Sequence, residues 1–119
     1  MGILTDDVKQ LVSEQLAFIA TVNEKGWPDI AAKGTLRALD DSTLVFAEIA
    51  GGRSYHNIMQ GSPIAVVIVD RVKHIQFRCV GKAEVITEGK LFNEMAAELA
   101  QKGRHKPKAI IKINVIEVR

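Results

Sequence analysis

A chain of 119 residues with 47% hydrophobic and 25% charged residues reads as one domain with a real but shallow core, and excludes a disordered chain. A net charge of +2 is too small for a nucleic-acid surface, and the aromatic residues, at 5%, are too few and too separate from basic ones to stack bases. The single cysteine, Cys79, rules out an internal disulfide, argues against a cysteine-based metal cluster, and reads as a small buried hydrophobe.

The N-terminus turns acidic at Asp6 and Asp7 without a basic stretch and an apolar one before it, so no secretion signal is expected. Gly2 opens no myristoylation motif, because those same acids follow it. No apolar run reaches membrane-spanning length, and the expected compartment is the cytoplasm.

Leu4, Val8, Leu11 and Val12 recur at helical spacing. With Thr5 as cap, they predict a helix from about Asp6 to Glu14. Ala17 to Val22 is a compact apolar strand, and Asn23 to Gly26 is a turn. Trp27-Pro28 opens a return strand, Asp29 to Arg37, whose small residues Ala31, Ala32 and Gly34 let something flat approach the backbone. Tight sheet packing explains them equally well. Leu39 to Ser42 is a hairpin turn, and Thr43 to Glu48 is the third strand.

Gly51-Gly52-Arg53-Ser54 follows at the start of a helix of about two turns that stops at Gly61-Ser62-Pro63. Free backbone N–H groups, a guanidinium and a hydroxyl make this junction a candidate anion site, though an ordinary strand-to-helix turn has the same look. Ile64 to Val69 is continuously apolar and is expected to be covered on both faces. Asp70 to Lys73 leads to a long strand, His74 to Thr87, in which Gly81 marks a bulge. Leu91, Phe92, Met95 and Leu99 lie on one face of a third helix. The basic run Lys102 to Lys108 either complements that helix's dipole or contacts a polyanion or substrate. Ile110 to Val118 alternates as a last strand.

Six strands and three short helices in the order αβββαββαβ, with tight hairpins, predict a mainly β, mostly antiparallel fold. Its expected form is a small closed barrel with helices filling its ends. There is no Gly-x-Ser-x-Gly, Walker or Gly-x-Gly-x-x-Gly motif, and His56, His74 and His105 lack metal-ligand spacing, so no metal site is expected.

Four local features carry a family resemblance. They are the helix before Phe18-Ile19-Ala20-Thr21 with its Pro-bearing second strand, and the Leu36 to Phe46 hairpin. The others are Arg53-Ser54-x-x-Asn57-Ile58 followed by Gly61-Ser62-Pro63, and Ile75-Gln76 leading to Val80-Gly81-Lys82-Ala83. Over about residues 5 to 87 the chain resembles the FMN-binding split-barrel proteins, the superfamily of pyridoxamine 5'-phosphate oxidase, in its small single-domain branch.

The resemblance implies a six-stranded antiparallel split β-barrel, an oxidoreductase function, and a homodimer with FMN at the interface. It implies that Arg53 and Ser54 bind the phosphate, and that Ala32, Gly34 and Thr35 offer backbone and little bulk to the isoalloxazine. Glu48 and Ile49 would line the ring edge, and Gln76 would contact the flavin from the later strands. Lys33 could reach the phosphate or the ring, a choice left open, and Asn57 stabilises the helix or loop. The chain departs from the family where Arg53 replaces the usual lysine, and it lacks the C-terminal extension such oxidases use on their substrate. No catalytic residue is identified. The alternatives are a flavin-binding or electron-transfer protein without turnover, or a split barrel holding a deazaflavin or a haem on His56 or His105.

Overall fold

The computed structural model describes residues 3–119, so the Gly2 reading lies outside the described residues. Thr5 caps α1 (Asp6–Glu14): its hydroxyl accepts the Val8 N–H at 3.4 Å, and Asp6 and Asp7 occupy the positive first turn. Leu11 and Val12 are the side chains it buries. β1 (Ala17–Val22) and β2 (Pro28–Lys33) form the expected hairpin, with Ala17 opposite Lys33 and Val22 opposite Pro28. The Asn23 side-chain oxygen sets the turn by accepting the N–H groups of Lys25 and Trp27, both at 2.9 Å.

The return strand does not run to Arg37. It stops at Lys33, turns a corner at Gly34 to Leu36, and resumes as β3 (Arg37–Ala38). The Leu36 N–H donates to the Lys33 carbonyl at 3.2 Å across this corner, and the Ala47 N–H donates to Thr35 Oγ1 at 2.9 Å. β3 therefore pairs with β4 (Thr43–Glu48), Arg37 standing opposite Val45. One expected strand has become two, which makes seven strands rather than six.

The chain continues through α2 (Arg53–Met59), β5 (Ile64–Asp70), β6 (Ile75–Ile86), α3 (Lys90–Gln101) and β7 (Ala109–Val118). All pairings are antiparallel, in the order β2-β1-β5-β6-β7-β4-β3. The edge strands β2 and β3 are successive in the chain and are joined through the corner, not by a hydrogen-bonded ladder. The expected closed barrel is thus a curled half-barrel with a seam beside β2.

Leu44, Phe46, Ile64, Val66, Ile68, Ile111 and Ile113 fill the inner face. A second cluster joins Val45, Ala47 and Ile110 to Phe92, Met95 and Leu99 of α3. This helix covers the outside of β4 and β7 instead of filling a barrel end. As a result β4 is buried along its whole length, and β5 is not the strand covered on both faces. In β5, Ile64, Val66 and Ile68 are buried, Ala65 and Val67 are half-buried, and Val69 is exposed.

Gly81 does mark a bulge. The register shifts there, with Val80 opposite Glu117 and Gly81 opposite Val115. A Cβ at Gly81 would lie 2.5 Å from the Asn114 carbonyl oxygen, an approach that only glycine admits.

Candidate functional site

Lys33 ends β2 and Glu48 ends β4, one on each side of the seam. The Lys33 ammonium donates to Glu48 Oε1 at 3.0 Å, with the two side chains 14% and 4% exposed. The Phe46 ring centroid lies 5.1 Å from the same ammonium, within cation–π range. The other Glu48 oxygen accepts the Gly51 N–H at 3.1 Å. A lysine matched by a buried carboxylate projects little net positive field. Lys33, expected to reach a phosphate or the ring, and Glu48, expected to line the ring edge, are paired with each other, and together they latch the seam.

The latch sits in a groove of about 170 Å³. Ala32, Lys33, Gly34, Thr35, Glu48 and Ile49 all line it, so the structure brings these sequence candidates together. Gly34 keeps the groove open, since a Cβ there would meet nothing within 4 Å. A second groove, of about 550 Å³, includes Trp27, Asp29, Gly51, Gly52, Arg53 and His56. The two adjoin where Ala50 passes to Gly51, and both follow β2, from Pro28-Asp29 at one end to Ala32-Lys33 at the other. Lying end to end along one edge strand, the two separate grooves make up a discontinuous trough.

Arg53 is exposed at the first position of α2, and its N-cap, Gly52, makes no side-chain hydrogen bond. With only 7 residues, α2 contributes little dipole, so the positive charge at this end comes from the guanidinium. Arg53, His56 and Asn57 share the groove side at the i, i+3, i+4 spacing of a helix face. Ser54 is turned by about 100° from Arg53. It is buried and takes no part in the lining, so it is not brought to the surface with Arg53. Asn57 stabilises the helix, as read: its Nδ2 donates to the buried Thr21 Oγ1 at 3.0 Å.

Gln76 is exposed opposite Val69 on the outward side of β6 and lines neither groove. His105 is exposed and lines neither groove. Burial pushes the Cys79 thiol up to about 11, which keeps it protonated and unreactive. Among the described residues, no group of three or more His, Cys, Asp or Glu could hold a metal ion. No described helix is long and apolar enough to cross a membrane.

Arg104 and Lys108 are site residues that sequence reasoning left inside an undivided basic run. Arg104 lines the groove of the latch. Lys108 donates its N–H to the Glu48 carbonyl at 2.8 Å, and its Cδ would lie 2.9 Å from a Cβ placed on Gly51. The register is the reason: β7 pairs with β4 so that Ala109 faces Glu48. Given that pairing, the residue before Ala109 has to reach the seam; without it, the run is only a charged loop.

The sequence profile described as "Pyridoxamine 5'-phosphate oxidase" matches residues 4–119. The chain belongs to the pyridoxamine 5'-phosphate oxidase-like split-barrel family. Solved structures agree with that placement. HupZ of Group A Streptococcus is 36% identical with a TM-score of 0.89, over 98% of this chain and 92% of that one. A protein of Lactobacillus delbrueckii described as a candidate pyridoxamine 5'-phosphate oxidase is 32% identical with a TM-score of 0.84, over 98% and 93%. An FMN-binding protein of Syntrophomonas wolfei is 16% identical with a TM-score of 0.76, over 98% and 84%, which shows a common fold alone. In this split barrel the seam latch and the trough beside β2 are therefore features set on the family's framework.

Proposed function

We propose that this chain is an FMN-binding flavoprotein, a pyridoxamine 5'-phosphate oxidase-like oxidoreductase acting on a small molecule, and that it works as a homodimer. The trough carries this reading. Its small-residue end at Gly34 and its basic end at Arg53 adjoin along β2, which suits an elongated ligand with a flat head and an anionic tail. The open space at Gly34 and Gly52, where a Cβ would meet nothing within 4 Å, fits a planar ring at one and a close phosphate at the other. The bound flavin supplies the electron-transfer chemistry. The chain's residues bind and orient it: Arg53 offers charged donors to the phosphate, Ala32 and Gly34 leave room for the ring, and the Lys33–Glu48 pair fixes the walls.

FMN titration followed by flavin fluorescence tests the reading. Gly34→Leu is expected to weaken FMN by at least about tenfold, the cost of excluding a well-fitted group. Its melting temperature should stay close to that of wild type, because a Cβ at this position meets nothing within 4 Å. A wild-type protein that is colourless and takes up no added FMN overturns the proposal.

The ring groove, about 170 Å³, is smaller than the few hundred Å³ typical of a cofactor site, which favours its completion by a second subunit. The outward face of the sheet supplies a surface for that subunit. Ala32, Phe18 and Val67 stand in one cross-strand row, and Ile30, Ala20, Ala65 and Val80 in another. Phe18 is 39% exposed and Ile30 72%, an apolar patch of the kind that marks an interface. Gln76 and Arg78, opposite Val69 and Val67, border this patch, which would let Gln76 contact a flavin held by the partner subunit. Light scattering is expected to give the mass of two chains for wild type and of one for Phe18→Glu, with FMN affinity lost alongside. A single-chain wild type that still binds FMN tightly refutes the dimer.

A flavin-binding protein without turnover is the second reading. The neutralised Lys33–Glu48 pair favours it, since it leaves no free carboxylate or amine among the described residues that line the ring groove. Steady-state oxidation of reduced nicotinamide with an added acceptor separates the two readings.

A further inference from the structure

We infer that a second ligand site, for a small organic anion with an apolar body, lies next to the ring groove and is held by Arg104. The inference rests on the flavin reading for its purpose, but not for its geometry. A cleft of about 530 Å³ lies between the end of α1, the Gly34 corner and α3. Val12, Leu36, Met95 and Leu99 form its apolar floor, and Lys102 and Arg104 stand at its rim. Gly34, Thr35, Ala47 and Arg104 line both this cleft and the ring groove, so the two spaces share a wall there.

Arg104 is placed by backbone geometry. The Gly103 N–H donates to the Ala100 carbonyl at 3.0 Å, and the Arg104 N–H to the Leu99 carbonyl at 2.9 Å. Gly103 has a φ of +72°. These are the two bonds and the left-handed residue of a Schellman motif, which ends α3 and turns the next residue back over the cleft.

The charges on the walls leave a cationic rim. Arg37 and Glu98 neutralise each other through bonds of 2.6 and 3.3 Å. The Arg37 guanidinium, helped by the charge of Lys102, holds the Glu98 carboxyl below the usual carboxylate range, so it stays ionised and committed. Among the described residues neither Lys102 nor Arg104 forms an ion pair, and Glu14 is the one other carboxylate on the lining. An apolar floor under a guanidinium selects a ligand with a hydrophobic body and a carboxylate or phosphate; the guanidinium binds either in the same forked geometry.

The test titrates the isotope-labelled, FMN-supplemented protein with benzoate, phenyl phosphate and benzyl alcohol, following backbone amide shifts. Saturable shifts at Thr35, Lys102 and Arg104 are expected with at least one anion, and the tighter of the two identifies carboxylate or phosphate as the preferred group. Benzyl alcohol is expected to bind at least about tenfold more weakly, and Arg104→Ala to weaken the anion by about tenfold, the scale of a charge-assisted hydrogen bond. Absence of saturation with both anions overturns the site. So does benzyl alcohol binding as tightly as the anions, or an unchanged affinity in Arg104→Ala. FMN uptake is read by fluorescence on the same samples. Anion binding without FMN uptake sinks the flavin reading and leaves this site standing, whereas FMN uptake without anion binding does the reverse.

Discussion

Glu48→Ala is expected to lower the unfolding free energy by about 3–5 kcal/mol, the usual penalty for removing one partner of a buried ion pair. The measurement is a urea titration, in which the midpoint falls and the slope holds. Two losses combine. The Lys33 ammonium, on a side chain only 14% exposed, loses its counter-ion, and the Gly51 N–H loses the acceptor it reaches at 3.1 Å. Lys33→Met is expected to cost a similar amount, because it strands the more deeply buried Glu48 carboxylate even though a flexible apolar chain still covers Phe46 and the carboxylate keeps the Gly51 N–H. Replacing both residues with apolar ones of similar size should recover much of the Glu48→Ala loss, since the cost lies in stranding a charge rather than in the pair's own worth. A Glu48→Ala loss below about 1 kcal/mol would show that the pair is as solvated as a surface bridge. The Arg37–Glu98 pair is the internal comparison: its side chains are 42% and 48% exposed, so stability there depends little on it.

Arg53→Ala is expected to weaken FMN binding by about 1.5–3 kcal/mol, the worth of hydrogen bonds to a charged group, and to leave the unfolding midpoint almost unchanged. The side chain is exposed at the first position of α2 and has no ion pair among the described residues, so little else depends on it. Arg53→Lys should keep the charge and lose the forked geometry, giving an intermediate affinity. The wild-type affinity should also fall as salt rises, and that salt dependence should diminish in the alanine variant. Equal FMN affinities for wild type and Arg53→Ala would place the phosphate elsewhere along the trough.

Elements built from neighbouring residues were legible in the sequence. Thr5, Asp6 and Asp7 fixed where α1 begins, and its Asp6–Glu14 span matches the expected one. Phe92, Met95 and Leu99 fixed the buried face of α3. Gly81 announced the bulge. In each case the decisive interactions lie within a few residues, so composition and spacing carry them.

The seam was not legible in the same way. Nothing local says that the strand after Pro28 breaks at Gly34, because a small-residue stretch suits a continuous strand as well as a corner. The break follows from the Ala47 N–H reaching Thr35 and from β3 finding its partner on the far side of the sheet. The Lys33–Glu48 latch and the return of Lys108 to the seam follow from that closure.

The sequence by itself determined the class of fold, the family, and six of the residues that line the proposed ring groove, from Ala32 to Thr35 with Glu48 and Ile49. Only the tertiary structure decided that Lys33 is neutralised, that Ser54 is turned away from Arg53, and that Arg104 stands between two cavities. The physical reason is one of range. Caps, periodicity and turns are set by short-range bonds along the chain, whereas the net charge and openness of a site depend on which distant residues the curl of the sheet brings face to face.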